Sequence, residues 1–143
     1  MNNINYEQLL HHQEQILAPF KGTSMMPLLR EDIDTVVLKK ASEALKKNDV
    51  ALFRRDNGKL VMHRVVRVRK DSYDFCGDNQ VHIEKRVPKE WVIAVMVAFY
   101  RDDMYVELTN PKYISYYKKI NRTRFIRLVK HYIKRLKEKL THK

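Results

Sequence analysis

Cysteine, glycine and proline are all scarce in this sequence of 143 residues. The single cysteine, Cys76, excludes an intramolecular disulfide framework and makes a reducing compartment the default expectation. Three glycines and four prolines exclude collagen-like and linker-like chains. Hydrophobic residues make up 44% and charged residues 32%, which is a globular balance, and the length predicts one domain with a modest core.

Long hydrophobic runs are also missing. The longest uncharged apolar run, Trp91 to Tyr100, has about half of the roughly 20 residues that a membrane-spanning helix requires. The first residues lack the basic and apolar regions of a secretory signal peptide. The sequence therefore predicts neither a transmembrane segment nor a signal peptide, and a protein that is cytoplasmic or peripheral at a membrane.

The common metal and cofactor motifs are absent as well. His11 and His12 are adjacent, so on a helix they would point about 100° apart and could not share a metal ion. The sequence has no second cysteine, no glycine-rich phosphate loop and no dinucleotide-binding fingerprint. We therefore expect neither a metal nor an organic cofactor.

Positive charge is abundant and concentrated at one end. The chain has 29 Lys and Arg against 17 Asp and Glu, a formal net charge of +12. Residues 112–143 hold 12 of the basic residues and one acidic residue, Glu138. The rest of the chain is nearly neutral. Such a distribution bears on binding partners more than on the fold.

Apolar residues in this basic segment recur at the three- and four-residue spacing of an amphipathic helix. They are Phe125, Val129, Tyr132, Ile133, Leu136 and Leu140. Three interpretations stay open: residues 121–140 lie on an anionic membrane surface, the apolar face packs on the rest of the protein, or the charge binds nucleic acid. Nucleic acid is the least favoured of the three.

The middle of the chain, residues 20–111, is mostly β. Short β-branched and apolar runs alternate with turn residues, and Asn57-Gly58 is a strong hairpin signal. The expected strands are 34–38, 49–53, 60–68, 73–76, 90–99 and 104–108, with 90–99 as a buried central strand. Residues 4–18 are expected to form an amphipathic helix that Pro19 ends, and residues 41–47 a helical turn.

The sequence thus predicts a mainly β, compact fold in three parts. They are an N-terminal amphipathic helix (1–20), a β-domain (21–111) and a basic helical tail (112–143).

One stretch before the first expected β-domain strand, Lys21-Gly-Thr-Ser-Met-Met-Pro-Leu-Leu29, has features of a nucleophile turn. A nucleophilic serine needs an exposed, sharply held position next to free backbone N–H groups. Gly22 permits an unusual backbone angle before Ser24, and Pro27 prevents a helix from using those N–H groups. Taken alone, an ordinary turn explains this stretch better.

Two further pieces follow along the chain. His63 lies within an expected strand, where a neutral imidazole could act as a general base or could be a polar residue on a solvated face. Gly77-Asp78-Asn79-Gln80, with Glu84 nearby, offers an acid that could orient the imidazole, or an ordinary turn.

In this order and spacing, Gly-x-Ser-Met-x-Pro, Val-x-His-Arg-Val-Val and Gly-Asp-Asn-Gln resemble the signal peptidase I and LexA-like serine peptidases. The resemblance covers roughly residues 21–100. It implies a compact β-fold of that family and a serine endopeptidase that processes a signal or leader peptide with small residues before the cut.

The resemblance also implies roles for individual residues. Ser24 matches the nucleophile, with part of the oxyanion hole at the backbone N–H groups of Ser24 and Met25. His63 stands where bacterial signal peptidases have a lysine and endoplasmic-reticulum-type enzymes have a histidine. Asp78 matches the acid of the Gly-Asp-Asn box, and Glu84 falls where the His-type enzymes carry an aspartate that supports the histidine.

The sequence departs from the family pattern at several points. Gly22 stands where signal peptidases usually have a serine that assists the oxyanion hole, as in the LexA-like branch. Glu84 replaces an aspartate, and the usual transmembrane anchor is absent from this sequence.

Three functions follow, in decreasing order of support. The first is the serine endopeptidase. The second is an inactive relative that acts as a binding module through its cationic tail. The third is a self-cleaving LexA-like regulator. Against the third, only 23 residues precede Ser24, and no Ala-Gly or Cys-Gly cleavage site lies among them.

Overall fold

The computed structural model describes residues 4–142 and divides the chain after Leu108 into two compact units. The first unit contains a short helix and an antiparallel sheet, and the second contains one long helix. The predicted mainly β class with a helix at each end is therefore confirmed.

Eight strands form the sheet in the first unit. They are β1 (Gln15–Pro19), β2 (Thr35–Lys40), β3 (Val50–Arg54), β4 (Leu60–Val68), β5 (Ser72–Cys76), β6 (Glu84–Pro88), β7 (Val92–Arg101) and β8 (Met104–Glu107). Their order across the sheet is β1-β2-β7-β3-β4-β5-β6, and β8 also pairs with β7. Strand β7 therefore bonds to three neighbours, which agrees with its predicted central place.

The β3–β4 hairpin forms where the Asn-Gly pair predicts it. Gly58 has a φ of +84°, a backbone conformation that glycine adopts at little cost. Backbone N–H groups of Arg55 and Gly58 donate to the carbonyl oxygens of Lys59 and Arg55, both at 2.9 Å. The turn fixes the register of β4, and with it the face on which His63 lies.

The core beside this hairpin is aromatic and aliphatic. Phe53 on β3 stacks on Phe75 on β5 with 4.5 Å between the ring centroids, and both side chains are fully buried. Leu45, Val65 and Val87 belong to the same cluster. These contacts hold β3, β4 and β5 rigidly together.

The predicted helix over residues 4–18 is wrong in its second half. Helix α1 spans only Tyr6–His12, with the Asn5 side chain accepting a hydrogen bond from the Gln8 N–H at 3.0 Å. Residues Gln15–Pro19 form β1 instead, paired with β2. The reason is periodicity: Ile16 and Ala18 are buried and Leu17 is exposed, which is the alternation of a strand.

Two smaller expectations also differ from the structure. Residues 41–47 contain no helical turn. Strand β6 was not predicted, because Glu84-Lys-Arg-Val-Pro88 is polar and buries only Val87. It is an edge strand, and edge strands carry little hydrophobic signal.

The second unit is helix α2, Pro111–Thr141. The Asn110 side chain caps it by accepting from the Lys112 N–H at 2.9 Å, and Pro111 occupies the first turn, where its missing N–H costs nothing. Its 31 residues give a length of about 46 Å.

Within residues 4–142, none of the helices offers a stretch apolar enough to cross a lipid bilayer.

Candidate active site

A cavity of about 550 Å³ in the first unit brings together two of the predicted catalytic residues, Ser24 and His63. Its wall comes from three segments: the loop before β2, the β3–β4 hairpin and the turn after β5. The lining residues are Lys21, Gly22, Thr23, Ser24, Arg55, Lys59, Leu60, Val61, Met62, His63, Asn79 and Gln80. A volume of this size accommodates several residues of an extended peptide or a small ligand.

Ser24 lies in a tight turn in the loop between β1 and β2. Gly22 has a φ of +84°, and its N–H donates to the Glu31 carboxylate at 3.0 Å. The Met26 N–H donates to the Thr23 carbonyl oxygen at 3.2 Å, which closes the turn around the half-buried Ser24. The left-handed glycine and the closed turn are what the sequence motif predicts for a sharply held serine.

The backbone N–H groups of Ser24 and Met25 donate no hydrogen bond within the described part of the chain. The Met25 side chain itself is fully buried. Two neighbouring N–H groups without internal acceptors are the donors that an oxyanion hole requires.

The turn after β5 is hydrogen-bonded to backbone carbonyl groups of the turn that contains Ser24, which we call the serine turn. The Asn79 N–H donates to the Ser24 carbonyl oxygen at 2.8 Å, and the Asn79 side-chain amide donates to the Thr23 carbonyl oxygen at 3.2 Å. A Cβ added to Gly77 would lie 2.6 Å from the same Ser24 oxygen. Only glycine therefore permits this approach, and the two turns together fix the position of Ser24.

His63 is buried on β4, with only 6% of its surface exposed, and its ring packs edge-on against Phe53. Burial lowers the pKa of His63 to about 4. The negative charges of Glu84 and Asp78 act in the opposite direction, and the positive charges of Arg55 and Lys59 reinforce the lowering. His63 is therefore neutral at physiological pH and able to accept a proton.

Asp78 lies beside this pair but is bonded elsewhere. Its two carboxylate oxygens accept from Nε and Nη2 of Arg64, each at 2.8 Å, and both side chains are fully buried. Arg64 also donates to the Asn48 carbonyl oxygen at 2.9 Å. Since Arg64 follows His63 in β4, Asp78 helps to hold that strand against the serine turn.

Glu84, at the start of β6, forms an ion pair with Arg55. Its carboxylate accepts from Arg55 Nη2 at 2.5 Å and from Nε at 3.2 Å. Nδ1 of His63 has no hydrogen-bond partner within residues 4–142. Within residues 4–142, arginines bind both carboxylates, and neither Glu84 nor Asp78 accepts a hydrogen bond from Nδ1 of His63. An orienting role for either acid stays a prediction.

The sequence does not predict either arginine as part of the site. Arg64 stands in the Val-x-His-Arg motif, so its position next to His63 was the available signal. Arg55 carries no such signal, because its contact with Glu84 joins residues 29 positions apart.

No three His, Cys, Asp or Glu side chains within the described residues lie close enough together to hold a metal ion.

No known family model matches this sequence, and a search of curated proteins also finds no match.

Proposed function

We propose that this protein is a serine endopeptidase, similar to the signal peptidase I and LexA-like enzymes, with Ser24 as nucleophile and His63 as general base. The observation that carries the proposal is a cavity lined by both a tightly positioned serine and a buried, neutral histidine. The resemblance of the motifs over residues 21–100 supports the same reaction class.

The proposed reaction begins when His63 removes the proton of the Ser24 hydroxyl. The Ser24 oxygen attacks the carbonyl carbon of a peptide bond, and the backbone N–H groups of Ser24 and Met25 stabilise the oxyanion. His63 then gives the proton to the leaving amine, which produces an acyl-enzyme. Water, deprotonated by His63, hydrolyses the ester and restores the serine.

The proposed catalytic machinery is a dyad in which Asp78 and Glu84 act indirectly. Asp78 positions β4 through Arg64. Glu84 contributes its charge, which favours the imidazolium that forms during each proton transfer. The substrate class that the resemblance suggests is a signal or leader peptide with small residues before the cut.

Labelling with a fluorophosphonate, read by intact mass, tests the proposal. The wild-type protein should gain one adduct, and both Ser24→Ala and His63→Ala should abolish it. Ser42→Ala is the matched control, because Ser42 is exposed and lies outside the cavity. Cleavage of a leader-peptide substrate should follow the same pattern.

A protein that neither forms the adduct nor cleaves the peptide would contradict the proposal. That result would favour the second function, a binding module on a peptidase-like fold. Fragments that appear when the purified protein is incubated alone, and that Ser24→Ala prevents, would instead indicate self-cleavage.

A further inference from the structure

One face of α2 is apolar and exposed between residues 125 and 140. Its apolar side chains recur at three- and four-residue spacing, and each is at least 39% exposed. We call this set the apolar stripe: Phe125, Val129, Tyr132, Ile133, Leu136 and Leu140. Phe125 and Leu140 are 71% and 70% exposed, so most of the surface of these two side chains faces solvent. Such a continuous exposed face indicates an interaction surface.

Cations occupy much of the rest of the same segment, beside the exposed side chains of Ile126 and Leu128. Residues 121–140 contain eight basic residues against Glu138 alone: Arg122, Arg124, Arg127, Lys130, Lys134, Arg135, Lys137 and Lys139. By helical geometry, Lys130 and Lys137 flank the stripe on one side and Arg135 flanks it on the other. Their long side chains can reach along the helix to the level of the stripe while the charges stay in water.

The apolar stripe and its flanking cations together favour one class of binding partner over the others. A second copy of the helix would cover the stripe but would bring its own excess of seven positive charges against the first. A nucleic acid would neutralise the cations but leave the stripe in water. A bilayer that contains acidic phospholipids satisfies both, because acyl chains cover the stripe and headgroups pair with the cations.

We propose that residues 121–140 bind flat on the surface of a bilayer rich in acidic phospholipids, with the apolar stripe inserted at the boundary of headgroups and acyl chains. The proposal does not depend on the peptidase activity. It requires no spanning segment, because the helix lies in the plane of the interface.

Vesicle flotation with the full chain tests the proposal. The protein should float with vesicles of phosphatidylcholine and phosphatidylserine and stay in the lower fraction with phosphatidylcholine alone. Replacing three flanking cations (Lys130→Gln, Arg135→Gln and Lys137→Gln together) should weaken binding on the order of 100-fold. The matched control removes three exposed cations of the first unit (Lys40→Gln, Lys70→Gln and Lys85→Gln) and should leave binding within about threefold of wild type, since only charges near the surface contribute.

A second variant separates insertion from simple charge attraction. Phe125→Gln, Tyr132→Gln and Leu140→Gln together keep every charge and a good helix former at each position. This variant should also lose vesicle binding on the order of 100-fold while its far-ultraviolet circular dichroism is unchanged.

Three outcomes would overturn the proposal. The first is equal flotation with neutral and acidic vesicles. The second is full retention of binding by the glutamine variant of the stripe, which would indicate a charged surface suited to nucleic acid. The third is a stripe-dependent dimer in sedimentation velocity that does not bind vesicles.

Discussion

At the scale of single residues, His63 determines how the site responds to pH. Burial depresses its pKa to about 4, below the ordinary value of 6.5. A general base must be neutral, so the activity proposed here should be constant from neutral pH down to about pH 5 and should fall as pH approaches 4. Rates of peptide cleavage across this range, at constant ionic strength, provide the measurement. An acidic limb centred near pH 6.5 would contradict it.

The same shift predicts a pH-dependent stability. The unfolded chain binds a proton at His63 at higher pH than the folded chain does. The contribution of neutral His63 to the free energy of unfolding is therefore fully present above pH 6.5 and is lost as pH falls toward 4. Between pH 7.5 and pH 4.5, this contribution falls by about 2.5 kcal/mol. Urea unfolding at both pH values should show a smaller loss for His63→Gln than for wild type.

Arg55 forms the ion pair that holds the Glu84 carboxylate. Arg55→Gln removes a positive charge from the site and releases the Glu84 carboxylate from its ion pair. Both changes should raise the pKa of His63, as an NMR titration of its ring would report. Arg54→Gln is the matched control, because Arg54 pairs with Glu7 and does not line the cavity. Equal pKa values in the two variants would show that the Arg55 pair does not tune the base.

At the scale of elements, the contact between two turns positions Ser24, the proposed nucleophile. Gly77→Ala places a Cβ 2.6 Å from the Ser24 carbonyl oxygen, so one turn must move. We expect labelling of Ser24 to fall on the order of 100-fold or more, because a displacement of about 1 Å misaligns a nucleophile.

Gly58→Ala serves as the comparison for Gly77→Ala. Gly58 also has a constrained backbone, with a φ of +84°, but a Cβ added to it would contact nothing within 4 Å. This variant should lose about 1 kcal/mol of unfolding free energy and keep its labelling. If both variants lost labelling equally, the effect of Gly77→Ala would be one of general stability.

What the sequence predicts at this scale depends on how local each signal is. The Asn57-Gly58 hairpin depends on a few adjacent residues, and α2 begins and ends within two residues of the expected tail, 112–143. Strand β1 was missed because its alternation covers only five residues after a real helix. The carboxylate partners could not be predicted, because the ion pairs of Asp78 and Glu84 depend on which strands are neighbours.

At the scale of the whole molecule, most of the net positive charge and the cavity lined by Ser24 and His63 lie in different units. The cavity residues all lie before Leu108, whereas most of the net positive charge lies after it. Raising the salt concentration should therefore release the protein from acidic vesicles without changing the rate at which Ser24 is labelled. Parallel flotation and labelling at low and high salt measure the two properties. A labelling rate that falls together with binding would show that the two units act as one.

Strand β7 stands between the two halves of the site. The loop that carries Ser24 joins β1 and β2, which lie on one side of β7 in the sheet, and His63 lies on β4 on the other side. An opening of the sheet along β7 that also breaks the hydrogen bonds from Asn79 to Thr23 and Ser24 would carry Ser24 away from His63. In hydrogen exchange, the amides shared by β7 and its neighbours should therefore be the slowest of the sheet, and the rate of their exposure sets an upper limit on how long the assembled site persists.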